Sequence, residues 1–170
     1  MIARAPFRAG LAVVLAVARF CANAHASVWE LDPATTRIAF SVRNLSVATV
    51  GGTFRLASGR VALDDGDVSR STIEAVIDTG SVDTSEPKRD AHLRSADFLD
   101  AARYPTMTFR STQIEQVDGD HWKVTGNLTL LGTTRPVLLD VERSTVEDTR
   151  ASAHATTSID RRDFDMTYRR

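Results

Sequence analysis

Beyond residue 26 the chain alternates apolar and polar residues with a period of two, in short runs broken by Gly, Asp, Asn and Pro. Successive side chains on a strand point to opposite faces, so this pattern demands half-buried antiparallel strands rather than helices, which need apolar residues every three or four positions. From Arg37 to Val42 the residues Ile38, Phe40 and Val42 share a face. From Ser71 to Asp78 the same holds for Ile73, Ala75 and Ile77, and from Thr106 to Arg110 for Met107 and Phe109.

The clearest hairpin joins His121–Leu131 to Val137–Glu142 through Gly132-Thr133-Thr134-Arg135-Pro136, with Trp122, Val124, Leu128 and Leu130 on one face of its first arm. Both Gly and Pro favour such a turn. Further breaks are expected at Gly51-Gly52, at Asp64-Asp65-Gly66-Asp67 and at Asp118-Gly119-Asp120. Between Asp83 and Tyr104 the alternation stops. Ser95 is placed to cap a short helix there, with Asp97 in its first turn, Arg103 in its last and Pro105 ending it. Many short strands and one long connection carrying a short helix predict an all-β antiparallel fold, a closed barrel or a sandwich. Closure removes the unpaired edges that invite aggregation.

The first residues address compartment. Arg4 and Arg8 precede an apolar run from Gly10 to Ala18, and Ala24-His25-Ala26 fits a small-residue cleavage site. The run is shorter than the roughly 20 residues that span a bilayer, so a cleaved signal peptide over 1–26 is expected rather than an anchor. That expectation places residues 27–170, one domain, in the periplasm without stable membrane insertion. Cys21, the single cysteine, falls in the leader, so the mature chain has no thiol for disulfides, nucleophilic catalysis or metal binding. Without Arg4, Arg8 and Arg19 the chain keeps 18 of its 21 basic residues against 22 acidic ones, a balance that argues against nucleic-acid binding.

Catalytic motifs are missing: there is no G-x-S-x-G elbow, no H-E-x-x-H, no P-loop and no C-x-x-C. Their absence argues against an enzyme. Asp90, His92 and Asp97 are close enough in sequence to suggest a metal site, but local ion pairs in a solvated connection account for them more simply. The apolar strand faces either fill a core or line a ligand cavity, and alternation does not separate the two.

More specific is the run Lys88-Arg89-Asp90-Ala91-His92-Leu93-Arg94-Ser95-Ala96-Asp97-Phe98-Leu99-Asp100, continuing through Tyr104-Pro105 to Thr108-Phe109-Arg110-Ser111. It closely resembles the hallmark of the YceI-like family, exported polyisoprenoid-binding proteins with a lipocalin-like barrel. Further matches follow in family order: Trp29-Glu30-Leu31-Asp32-Pro33, Val50-Gly51-Gly52-Thr53-Phe54, Val124 through Gly132 with Arg135-Pro136-Val137, and Asp160-Arg161-Arg162-Asp163-Phe164. Asn44-Leu45-Ser46 stands where the family usually has His-Leu-Gly, and Asp165 where it usually has Gly. Relatives also continue for at least one more strand, so the expectation is a barrel edge left open, where the protein dimerises or distorts, or else a sequence that is truncated at this end.

The resemblance implies an antiparallel barrel, not an enzyme, whose apolar interior holds the tail of an isoprenoid lipid of quinone or polyprenyl type, with no metal or catalytic cofactor. Ile38, Phe40, Val42, Phe54, Ile77, Met107, Phe109, Trp122, Val124 and Leu128 are the expected lining, and Arg89, His92 and Arg94 either reach a polar head group at the barrel mouth or only tie the long connection to the barrel, the simpler of the two roles. The competing reading is an interaction module with a filled core that pairs through an open edge. An enzyme acting on bound lipid requires a base such as His92 or His121 beside a carboxylate at the mouth.

Overall fold

The computed structural model describes residues 7–16, 26–43, 49–64, 66–146 and 150–168. Nine antiparallel strands form one sheet: β1 Phe7–Ala16, β2 Ala26–Glu30, β3 Arg37–Arg43, β4 Thr49–Asp64, β5 Thr72–Asp83, β6 Thr106–Asp118, β7 His121–Leu130, β8 Thr133–Val146 and β9 Arg150–Ile159. The pairing order is β2-β4-β3-β1-β9-β8-β7-β6-β5, and β4 also pairs with β5. Eight strands therefore run in a closed circuit, a barrel as alternation predicts, but its C-terminal edge is not open as expected, because β1, from the segment expected to be a leader, pairs with β9.

Closure depends on β4. Its first half pairs with β3, its second half with β2, and its opposite edge with β5, where the register shifts between Thr53 and Arg55 and again between Leu56 and Ser58. Such irregularities bend a strand and increase its twist, which curls a sheet onto itself. β1 lies between β3 and β9, pairing from Phe7 to Ala12 along β3 and along its whole length with β9. The expected cleavage motif lies mostly outside the described residues, as does Asn44-Leu45-Ser46.

Several local expectations are corrected. Gly51 and Gly52 do not break the chain but lie within β4, paired with Ser41 and Phe40. The hairpin turn is Leu131-Gly132 alone, with φ of 53° and 73°, the paired positive values of a tight two-residue turn. Pro136 lies inside β8 opposite Asn127.

The short helix, α1, is Pro87–Arg94, and Ser95 is its C-cap rather than its N-cap. Glu86 caps the N-terminus by accepting from the Lys88 amide, and Pro87 supplies a preset φ with no amide to satisfy. Gly66-Asp67 and Gly119-Asp120 lie between strands, where the sequence places breaks.

Candidate functional site

Alternation in register across neighbouring strands builds the interior. Ile38 pairs with Phe54 and Ile77 with both Leu56 and Met107. Phe109 lies between Ala75 and Leu128, and Val124 between Ile114 and Leu139. All ten residues expected to line the barrel belong to one apolar cluster. Ile38, Phe40, Ile77, Met107, Phe109 and Val124 are buried, while Val42, Phe54, Trp122 and Leu128 are partly buried against them. Phe40 and Phe54 are in ring contact, centroids 5.1 Å apart.

The same cluster includes residues outside the expected lining, among them Leu31, Leu56, Val82, Leu139, Val141 and Phe164. Leu139 and Val141 continue the alternation begun at Val137, a signal present in the sequence. Phe164 is reached through the short 3-10 turn Arg161–Phe164, which alternation does not reveal.

Two polar atoms interrupt this interior. Thr79 extends the Ala75–Ile77 face of β5 by one inward position and is only 1 % exposed. Its Oγ1 and the Nε1 of Trp122 are enclosed and have no hydrogen-bond partner among the described residues. They mark opposite ends of the barrel: Asp78, next to Thr79, pairs with Thr106 at the start of β6, whereas Trp122 pairs with Gln116 near its end. An enclosed hydroxyl or indole N–H without a partner costs about 1–3 kcal/mol.

Near the Thr79 end lies the connection that carries α1. Asp90, the one buried residue of the helix, accepts from the Thr84 amide at 2.9 Å and its hydroxyl at 2.5 Å. Arg89 donates to the Thr84 hydroxyl at 2.7 Å and carbonyl at 2.9 Å, and Arg94 donates to the Val82 carbonyl at 3.2 Å. Both arginines thus take the simpler of their two expected roles and fasten the connection to the end of β5.

His92 stands apart from them. Its Nε2 lies 3.0 Å from Asp97 Oδ2, and its ring meets Phe98 and Tyr168 edge to face. The adjoining depression, about 380 Å³, is lined by Phe98, Tyr104, Met166 and Tyr168 among others. His121 also has a carboxylate partner, Asp140 Oδ1 at 2.8 Å, but it belongs to the opposite face from Trp122 and Val124 and so lies outside the barrel. Glu142 and His154 adjoin it around an open depression of about 390 Å³. Among the described residues no three His, Cys, Asp or Glu side chains are grouped to share a metal ion.

The YceI-like domain profile matches residues 29–170. The chain belongs to the YceI-like family. A UPF0312 protein of Vibrio cholerae is 34 % identical over 160 residues, covering 91 % of this chain and 84 % of the relative. A Salmonella newport protein called Protein YceI is 38 % identical over 133 residues, covering 75 % of this chain and 69 % of the relative. Among solved structures, a Campylobacter jejuni YCEI protein superposes with a TM-score of 0.61 at 31 % identity, covering 79 % of this chain and 82 % of that one.

The Asp160–Phe164 motif has a physical role in this YceI-like chain. Asp160 caps the turn by accepting from the Arg162 amide and pairs with the Arg162 guanidinium. That guanidinium, with the capped amide, brings the Asp160 carboxyl down to about 2 from its usual 3.8. Asp165 ends the turn at φ 61°, the left-handed region that suits the Gly usual at this position, and accepts a hydrogen bond from the Thr133 hydroxyl at 2.9 Å.

Proposed function

We propose that this chain is an exported carrier, not an enzyme, that holds the apolar tail of an isoprenoid lipid of quinone or polyprenyl type inside its barrel. Members of the YceI-like family are binding proteins, and the family resemblance supplies the ligand class. The observation that carries the reading is the continuous apolar interior, into which all ten expected lining residues converge. Moving ten methylene-sized groups from water into such an interior contributes roughly 8 kcal/mol before ordering costs, equivalent to about micromolar affinity. Holding a tail therefore needs no charged contact, in keeping with Arg89 and Arg94 being engaged by backbone and hydroxyl oxygens.

In this reading the leader, residues 1–26, directs the chain to the periplasm and is removed there. The test is native mass spectrometry on protein expressed with its own leader and purified from the periplasm, followed by organic extraction. Carriage predicts the mass of residues 27–170 with a stoichiometric isoprenoid released on denaturation. A ligand-free protein that also ignores added quinones and polyprenols refutes carriage and favours a filled interaction module.

A further inference from the structure

We infer that the Thr79 hydroxyl is the interior anchor for an oxygen on the lipid, a carbonyl or a hydroxyl, so that the polar end of the ligand lies at the α1 end of the barrel and its tail runs toward Trp122. The inference rests on the carrier reading and deepens it: it assigns a polar specificity to a site otherwise defined by apolar contact alone.

Thr79 is 1 % exposed, on the same face of β5 as Ala75 and Ile77. Its amide is satisfied by the Pro105 carbonyl at 3.0 Å, so the hydroxyl is what lacks a partner. A serine or threonine side chain in a purely structural core position ordinarily finds a nearby backbone acceptor, and valine fills the same space without desolvating a hydroxyl. Retaining an enclosed, unpaired hydroxyl costs the free protein stability that a ligand oxygen at this point restores. A threonine hydroxyl both donates and accepts, so it serves a quinone carbonyl and a polyprenol hydroxyl equally.

Trp122, the other interior group without a partner, is less suited. It only donates, it is not fully buried, and Arg143 lies over its ring at 5.0 Å, at the end of the barrel away from α1. At the α1 end, Asp90, Arg89 and Arg94 tie the connection to the chain just beyond Thr79.

The experiment compares the wild type with Thr79→Val, Thr79→Ser and Trp122→Phe, each stripped of lipid. Affinities for decylubiquinone and for squalene, a hydrocarbon of similar apolarity without oxygen, are read by equilibrium dialysis and extraction. Thr79→Val is expected to weaken decylubiquinone about ten-fold, to leave squalene within about two-fold, and to raise the melting temperature of the free protein by about 2–4 °C. Thr79→Ser, which keeps the hydroxyl, is expected to retain decylubiquinone affinity, and Trp122→Phe, which alters the apolar lining without touching the anchor, to change decylubiquinone and squalene affinity by the same factor. Wild-type affinity in Thr79→Val overturns the anchor while leaving carriage intact, and so does a loss of decylubiquinone but not squalene confined to Trp122→Phe, which reverses the ligand. Wild-type protein that binds neither probe overturns the carrier reading itself, and the anchor with it.

Discussion

Phe40 stands directly opposite Gly52 in the β3–β4 ladder, and its ring takes the space that a side chain at position 52 would need. A Cβ there would meet Phe40 Cζ at 2.6 Å and the Asp83 carbonyl oxygen at 2.8 Å. The second contact is backbone, so neither neighbour is free to yield. Gly52→Ala is therefore expected to cost about 1–3 kcal/mol in urea unfolding. Gly51→Ala, one residue away on the outer face, meets nothing closer than 3.7 Å and is expected to be neutral or slightly stabilising. Equal effects at the two positions would sink the packing argument and leave only strand propensity.

That pair also explains where the sequence is legible and where it is not. The interior face is readable because a one-residue slip in any strand would turn its whole apolar set outward, so alternation alone fixes it. Gly51-Gly52 misleads because a glycine pair looks like a turn, while its cause, a ring on another strand, is not local. Pro136 misleads in the same way: the turn closes earlier, at Leu131-Gly132, and Pro136 is tolerated within β8. α1 starts eight residues before Ser95 because Glu86 and Pro87 begin it, and with only Asp90 buried it carries no apolar stripe to betray its position. Thr79 is one step along a stripe already visible in Ile73, Ala75 and Ile77, but its lack of a partner is a property of three dimensions.

The connection makes a second prediction, which separates fastening from ligand contact. Asp90→Ala removes the acceptor for both the Thr84 amide and hydroxyl, and is expected to cost about 2–3 kcal/mol in chemical denaturation. Arg89→Met and Arg94→Met each lose hydrogen bonds to the chain itself, with an expected cost of about 1 kcal/mol and lipid affinity unchanged. An arginine variant of full stability with weakened binding would return that residue to the head-group role.

The Asp160 cap carries a pH dependence of definite sign. Hydrogen bonding to the Arg162 guanidinium is the largest cause of its lowered value, about 2 against the usual 3.8. A carboxylate whose folded value lies below its unfolded one stabilises the fold above pH 4, and that contribution is lost as pH falls through 2. Carbon-detected NMR titration of the Asp160 carboxyl should place its midpoint near 2 in the wild type and raise it in Arg162→Met to a value still below 3.8, because the capping amide of residue 162 remains. A midpoint that Arg162→Met does not move would show the backbone cap, not the guanidinium, to be the cause.

The strand β1 makes the last prediction, because two demands fall on the same residues. As part of a leader, Phe7–Ala16 leaves the protein; as a strand, it fills the space between β3 and β9 and pairs with both. Removing residues 1–26 should therefore expose the β3 and β9 amides that face β1, and their hydrogen exchange should accelerate relative to the full chain. An opened pair of edges is also a template for another strand, so protection in the 27–170 chain should return as its concentration rises, in step with dimer formation seen by analytical ultracentrifugation. Unchanged protection in a monomeric 27–170 chain would mean that β3 and β9 close without β1, and would remove both the strand role of Phe7–Ala16 and the structural reason for a dimer.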